Sequence, residues 1–510
     1  MSQIRKQSII STLFVYTGFA IGFVNTYLFT RQGFFPESKY GITQESLYGL
    51  TQIFIAVGNI MFAFANFGMI STVYKFYPYY NDNLEKRKND LLTWALVICI
   101  TGFILVSIAG ILLKDLVVQK FIERSPEFVH YFYWIFPFGF SIMLYSVLEV
   151  FAWNIRKSIF TSFLREVLFR LLTTVLIFLL AFNVIGSIDT FVKFYSFTYG
   201  IVALTLLIYL IIKKEFYLTF TVSRVTKKFY KKILSLSSLV YFGGFVFMIA
   251  QFIDTIVIMS LVGTSAAGVF ALGSVVAGLV QAPQRGAVAA SVPVLSKAWK
   301  DKDYNKINVI YQRSGINLLI ASLGIFLMIW LNYADAITTF HLKPAYFESQ
   351  WIFFFLGLAR IIDLGTGVNS TIIGTSVYWR FEFLSGVILL SLAIPLNYFL
   401  VKHFGIIGAG YSNLFAFTVY NIIRIMFLKR KFNMHPFSIK FLYSTILSVG
   451  VYFICYFLFS DMHGLTGIIF KSAVFAVLYG GAIIYFKLTP DVMPVWKTIQ
   501  KRAGIKREKQ

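Results

Sequence analysis

Apolar residues in this chain come in long blocks. There are fourteen, running approximately over residues 8–30, 46–73, 91–113, 128–149, 159–182, 191–212, 233–260, 266–294, 311–333, 351–373, 381–401, 405–428, 441–459 and 464–487. A mostly apolar stretch of eighteen or more residues is long enough to cross a bilayer as a helix. Inside lipid every backbone N–H and C=O must be satisfied by the chain itself, which leaves only helices and closed barrels. The period-two alternation of a barrel is absent. The chain is therefore read as an all-α polytopic membrane protein. Its composition agrees: 58% of the 510 residues are hydrophobic and only 13% are charged, where a soluble domain carries about 25%.

The net charge of +24 does not call for a nucleic-acid partner, because Lys and Arg hold cytoplasmic loops inside. With fourteen spans and both termini cytoplasmic, the inside segments hold 32 basic residues and the outside segments nine. Five arginines remain within spans: Arg165, Arg170, Arg285, Arg360 and Arg424. A missed span would invert every later loop and spoil this asymmetry. The outside loops are short, so no extracytoplasmic domain is expected. The first apolar block reads as a retained helix, for it lacks a small-residue cleavage site. Cys99 and Cys455 lie inside apolar blocks and predict neither a disulfide framework nor a metal site. No metal-binding histidine pair and no phosphate-binding glycine loop is present. The chain is expected to be no enzyme and to need no cofactor.

An internal repeat organises the spans. "LYGLTQIFIAVGNIMFAFANFGMISTVYKFY" from Leu47 aligns with "VFALGSVVAGLVQAPQRGAVAASVPVLSKAW" from Val269, an offset of 222. "FNVIGSIDTF" from Phe182 aligns with "FGIIGAGYSN" from Phe404 at the same offset. Spans 1–6 thus repeat as spans 7–12 in the same orientation, which predicts two parallel six-helix lobes plus two C-terminal helices. The lobes would cover 1–212 and 233–432, joined by a basic interfacial loop at 213–232, with spans 13–14 and a basic cytoplasmic tail over 433–510. Sites in such repeat transporters lie near the midplane between the halves. The joining loop, "KKEFYLTFTVSRVTKKFYKK", mixes aromatics with cations. It reads either as a topology anchor or as a segment lying on the anionic inner leaflet.

Several motifs carry a resemblance. They are "TRQGFFPESKYG" (Thr30–Gly41), "SVPVLSKAWK" (Ser291–Lys300), "GVNSTIIGTSVYWR" (Gly367–Arg380) and "HFGIIGAGYSN" (His403–Asn413). Together with the arrangement of six, six and two spans, the chain resembles the multidrug/oligosaccharidyl-lipid/polysaccharide (MOP) exporter superfamily. It is most similar to the bacterial polysaccharide transporters, the Wzx-type lipid-linked oligosaccharide flippases. The resemblance implies flipping of undecaprenyl-diphosphate-linked oligosaccharide across the bacterial inner membrane by alternating access. That activity would serve polysaccharide or lipopolysaccharide biosynthesis. The implied partners are the lipid-linked glycan, membrane lipids and polysaccharide-assembly proteins.

Polar residues inside the spans are the candidate sites. Arg285 lies in mid-block with Gln281, Pro283 and Gln284. It stands twelve residues before Lys297, about 18 Å along a helix, too deep for easy snorkelling. A mid-membrane charge costs roughly 2.5–3.5 kcal/mol on insertion scales. Pro283 predicts a broken helix beside a cavity, and the arginine fork suits a diphosphate. The repeat pairs Arg285 with Ala63, so the charge belongs to the second half alone. Asn25, Asn59 and Asn66, with Arg31 at the end of span 1, form a milder set in the first half. Asn59 and Asn66, seven apart on one face, would bind sugar hydroxyls or hydrogen-bond between helices, and Arg31 is a further substrate-binding candidate. Arg170 faces a lumen or pairs with Glu166 at i,i+4. Arg360 and Asp363 read as a structural pair. Asp254 is an ion-coupling candidate for H+ or Na+, or else a partner for Arg285. The in-span charge looks weighted toward arginine, which favours an anionic substrate. A cation-coupled multidrug exporter is the alternative, and a glycan polymerase or ligase a more distant one.

Overall fold

In the computed structural model, which describes residues 3–491, each of the fourteen apolar blocks lies on a helix or on a run of helices with short breaks. No β-strand occurs among the described residues. The protein is all-α and multi-pass. Ten of these runs are long and apolar enough to cross a membrane, and an eleventh is if the bent pair Thr264–Val280 and Ala282–Lys300 counts as one. The other three are spans 5, 7 and 10, which hold Arg165, Glu166, Arg170, Asp254, Arg360 and Asp363. In span 5 and in the span 10 helix, which starts at Glu348, three charged residues make the segment too polar to count as a plain apolar helix, whereas span 7 holds Asp254 as its one charge and has side chains that lie outside the described residues. Most of the expected basic tail lies outside the described residues.

The chain forms two compact units, divided between Gly268 and Val269. The first contains α1 (Gln3–Thr30), α2 (Gln44–Ala65), α3 (Met69–Asn83), α4 (Leu91–Leu112), α5 (Ile135–Asn154) and α6 (Ser158–Ser162). A π-helical turn, Phe163–Leu168, leads into α7 (Phe169–Ala181), followed by α8 (Ile188–Ser196), α9 (Thr198–Ile212) and α10 (Arg224–Leu261). Short polar side chains start several of these helices, as an N-cap should: Thr43, Ser187 and Ser223 each accept a backbone N–H from three residues ahead. Between α2 and α3 the chain turns through Asn66, Phe67 and Gly68, the last two at positive φ. The core of this unit is aromatic. Phe54 of α2 meets Phe138 of α5 edge-on at 5.8 Å, and Phe138 stacks on Tyr195 of α8 at 5.4 Å. Helix α10 packs along α2 and α3.

The second unit holds α11 (Thr264–Val280, apart from its first turn), α12 (Ala282–Lys300), α13 (Tyr304–Thr339), α14 (Glu348–Gly365) and α15 (Asn369–Gly374). It continues through α16 (Trp379–Phe404), α17 (Ile406–Phe432), α18 (Ile439–Leu458) and α19 (Gly464–Tyr485). Span 8 is broken as Pro283 predicts: α11 and α12 meet at 43°. Pro283 lies in the first turn of α12, where a missing N–H costs nothing. Span 10 is broken too. Gly367 sits at φ 68° between α14 and α15. A Cβ there would lie 2.7 Å from Ser314 Oγ and 3.0 Å from Tyr311 O, so the break is packed directly against α13. Leu295, Tyr311, Leu364, Ile372 and Leu428 bury one end of the unit. The C-terminal helices lean on α13 through polar contacts: Lys471 of α19 meets Asp335 at 2.7 Å, and Tyr479 donates to Ile320 O at 2.8 Å.

Candidate functional site

The break in span 10 gathers a polar network inside the second unit. Gln281 donates to Gln284 Oε1 at 2.7 Å, and Gln284 donates to Asp363 Oδ2 at 3.2 Å. The other Asp363 oxygen accepts from Asn421 Nδ2 at 3.1 Å. Asn421 Oδ1 in turn accepts from Thr366 Oγ1 at 2.8 Å and Asn369 Nδ2 at 3.0 Å. Arg424, one turn beyond Asn421 on α17, donates to Asn369 Oδ1 and Ser385 Oγ and forms an ion pair with Glu382. Ser370 adds a hydrogen bond to the same Glu382 oxygen at 2.7 Å. The Arg424 side chain is only 3% exposed. A buried ion pair recovers its desolvation cost only when further hydrogen bonds satisfy both partners. Here the residues freed by the α14–α15 break supply part of them: unwinding at Gly367 brings Thr366, Asn369 and Ser370 toward α16 and α17, while Glu382 Oε2 stays buried without a hydrogen-bond partner.

The first unit has its own polar seam, built around the π-helical turn. An extra residue in a helical turn re-aims side chains and is frequent at functional positions. Arg165, within that turn, reaches Glu149 of α5 at 3.2 Å. Tyr145 donates to Glu149 at 3.2 Å and to Thr161 O at 2.8 Å. Arg170 pairs with Glu166 at 2.6 Å, as the i,i+4 spacing predicts. Helix α1 receives this pair on a bed of glycine: a Cβ on Gly18 would sit 2.7 Å from Arg170 Nη1. Asn25 of α1 donates to Arg170 O at 2.9 Å and accepts from Thr174 at 2.6 Å.

The residues singled out from sequence therefore meet different fates. Gln281 and Gln284 join the second-unit network through Asp363, and Arg170 joins the first-unit seam. Asn59 and Asn66 make local hydrogen bonds rather than interhelical ones. Asn59 donates to Ile55 O at 2.7 Å, and Asn66 donates to Phe62 O and Ala63 O while accepting from Gly68 N. Both bond their own helix or its end, because a short amide reaches carbonyls three and four residues back more easily than a neighbouring helix. Arg31 is exposed just beyond α1, its guanidinium 6.0 Å from the Tyr27 ring. Arg285 is exposed in the first turn of α12, and Asp254 is half-buried on α10. Asp363 bonds Asn421 and Gln284 as described, while the Arg360 guanidinium stands 5.0 Å from the Phe417 ring.

One weighting changes. The spans hold five carboxylates, Glu149, Glu166, Asp254, Asp363 and Glu382, alongside the five arginines. Three arginines, Arg165, Arg170 and Arg424, are in ion pairs with three of them. By count the spans carry no excess of arginine over carboxylate, so the charge balance alone does not select an anionic substrate. Sequence reasoning passed over Glu149, Glu382, Asn369 and Asn421. One signal was available: Asn421 and Arg424 share a face of span 12, opposite the polar run Thr366–Ser370 of span 10.

Helices broken within apolar blocks, with polar networks at the breaks, are the kind of feature on which the sites of multi-pass transporters are built. No protein-family model matches the sequence, and no curated protein matches it. The fold is nevertheless shared with solved transporters. The lipid II flippase MurJ, in its inward closed conformation, superposes with a TM-score of 0.71 over 94% of this chain and 99% of that one, at 16% identity. A multidrug resistance MATE family transporter of the MOP superfamily, inward-facing, gives 0.61 over 83% and 98%, at 14% identity. A Vibrio cholerae MATE transporter in its bent form gives 0.51 over 85% and 98%, at 12% identity. The fold is that of the MOP-type transporters, as the motifs of the sequence imply.

Proposed function

We propose that this protein flips an undecaprenyl-diphosphate-linked oligosaccharide across the bacterial inner membrane, for polysaccharide or O-antigen-type biosynthesis, by alternating access. The observation that carries the reading is the exposure of Arg285 in the first turn after the break in span 8. A guanidinium well inside an apolar block is expensive against lipid. Its exposure is best accounted for by a water-filled space, where a planar fork of donors suits a diphosphate. The closer overlay on a lipid II flippase than on a MATE transporter supports a lipid-linked substrate. The termini are assigned to the cytoplasm from the distribution of Lys and Arg.

The alternative is a cation-coupled multidrug exporter, favoured by the MATE-like overlay over 83% of the chain. The two are separated in proteoliposomes loaded with fluorescently labelled lipid-linked oligosaccharide. The flippase reading expects protein-dependent movement of the label between leaflets, lost in Arg285→Ala, which should fold because the side chain is exposed. Absence of movement by the wild-type protein, together with efflux of a cationic dye, would establish the exporter. Unchanged flipping by Arg285→Ala would remove the site while leaving the function.

A further inference from the structure

The segment joining the two halves is not a slack loop. After α9 the chain runs through residues 215–220 without helix or strand and is stitched to the turn between α3 and α4 and to the start of α4. Glu215 meets Lys86 at 2.7 Å. Thr219 is held twice: its N–H donates to Thr93 Oγ1 at 2.8 Å and its hydroxyl to Arg87 O at 2.6 Å. Ser223 N–H and the Thr226 hydroxyl both donate to Asp90 Oδ2, at 2.9 and 2.8 Å. While these bonds hold Thr219 inward, its neighbours Leu218 and Phe220, and Val222 beyond them, are left on the surface. They are 52%, 66% and 45% exposed.

Three fixed apolar side chains on a surface need a cover. Height and charge identify it. Thr93 lies in the first turn of α4, where the apolar block begins at Leu91, so its bond to Thr219 holds the strap where hydrocarbon gives way to headgroups. Cations surround the strap: Lys213, Lys214, Arg224, Lys227 and Lys228 are all exposed. Beside it opens a cleft of about 480 Å³ whose lining includes Lys88, Thr221, Ser223 and Arg224. Apolar side chains at the acyl boundary with cations around them match an anionic lipid surface. We propose that residues 213–223 form a membrane-surface strap that binds the headgroups of anionic phospholipids and seats Leu218, Phe220 and Val222 in the bilayer interface.

The test uses the full-length protein with Phe220→Cys carrying a polarity-sensitive fluorophore. Cys99 and Cys455 are buried, so labelling favours position 220. The protein is placed in phosphatidylcholine nanodiscs with or without phosphatidylglycerol, and quenching by lipids spin-labelled near the headgroup is measured. The strap predicts quenching that is about fivefold stronger with phosphatidylglycerol, the effect of one cation–headgroup attraction, and reduced by adding Lys213→Gln and Lys214→Gln. Equal quenching in both bilayers would overturn the headgroup selectivity, and none in either would overturn the strap altogether. Unlabelled protein gives an independent reading, since trypsin cleavage after Lys213 and Lys214 should slow several-fold when phosphatidylglycerol is present. Equal cleavage rates in the two bilayers would count against the proposal.

Discussion

The guanidinium of Arg424 lies 3.7 Å from the centre of the Tyr420 ring, one helical turn before it, while its outer nitrogens reach Glu382 and Asn369. A single side chain thus joins α15, α16 and α17 around the break in span 10. Removing one member of a buried pair strands the other charge, at a cost of about 3–5 kcal/mol. Arg424→Ala and Glu382→Leu should each lower the midpoint of thermal unfolding in detergent by many degrees, read by fluorescence-detected size exclusion. The apolar double variant Arg424→Met/Glu382→Leu should recover much of the loss. Arg424→Lys should behave like a partial deletion, because an ammonium cannot stack and fork at once.

Asp254 is proposed to couple transport to H+ or Na+. Asp254→Asn should leave the protein folded and leave slow downhill movement of substrate, but make the rate insensitive to an imposed pH or sodium gradient. The measurement is flipping in proteoliposomes with and without each gradient. A variant that responds to the gradients like wild type would assign coupling elsewhere.

The Asn59 and Asn66 amides donate to carbonyls of their own helix, which favours a structural role over sugar contact. Asn59→Ala should leave transport within about twofold of wild type. Asn66→Ala removes the acceptor that holds Gly68 N–H and should cost about 1 kcal/mol of stability, the usual worth of such a bond, again with transport retained. A large transport defect at normal expression and thermal stability would contradict this.

Gly367 has φ 68°, and a Cβ there would meet Ser314 and the backbone of Gly315. Gly367→Ala should destabilise by at least 1–2 kcal/mol, roughly the penalty of the left-handed region alone. It should also reduce transport, since the network hangs on this break. Gly374→Ala, where no neighbour lies within 4 Å and φ is ordinary, is the control and should be neutral in the same unfolding and transport measurements.

Much of the architecture was legible in order along the chain. Block length counted the spans, because a helix must carry enough apolar residues to cross hydrocarbon. Pro283 marked a real break, and Glu166–Arg170 formed as the pair its spacing predicts. The shared face of Asn59 and Asn66 does not say whether an amide bonds outward or back to its own carbonyls, and in the fold both bond back. Glu149 and Glu382 lie at the ends of their blocks, and nothing in the order of the chain sets either beside an arginine. Only folding shows that each lies against an arginine.

The sequence by itself determined the solvent, the secondary structure and the number of crossings. These are set by hydropathy and by local backbone satisfaction, which act on consecutive residues. Tertiary structure decided which charges are paired or hydrogen-bonded. The partners Glu149 and Arg165, Glu382 and Arg424, and Asp363 and Asn421 come from different helices. The desolvation of each charge, and hence its meaning, depends on neighbours that are sixteen to fifty-eight residues away in the chain.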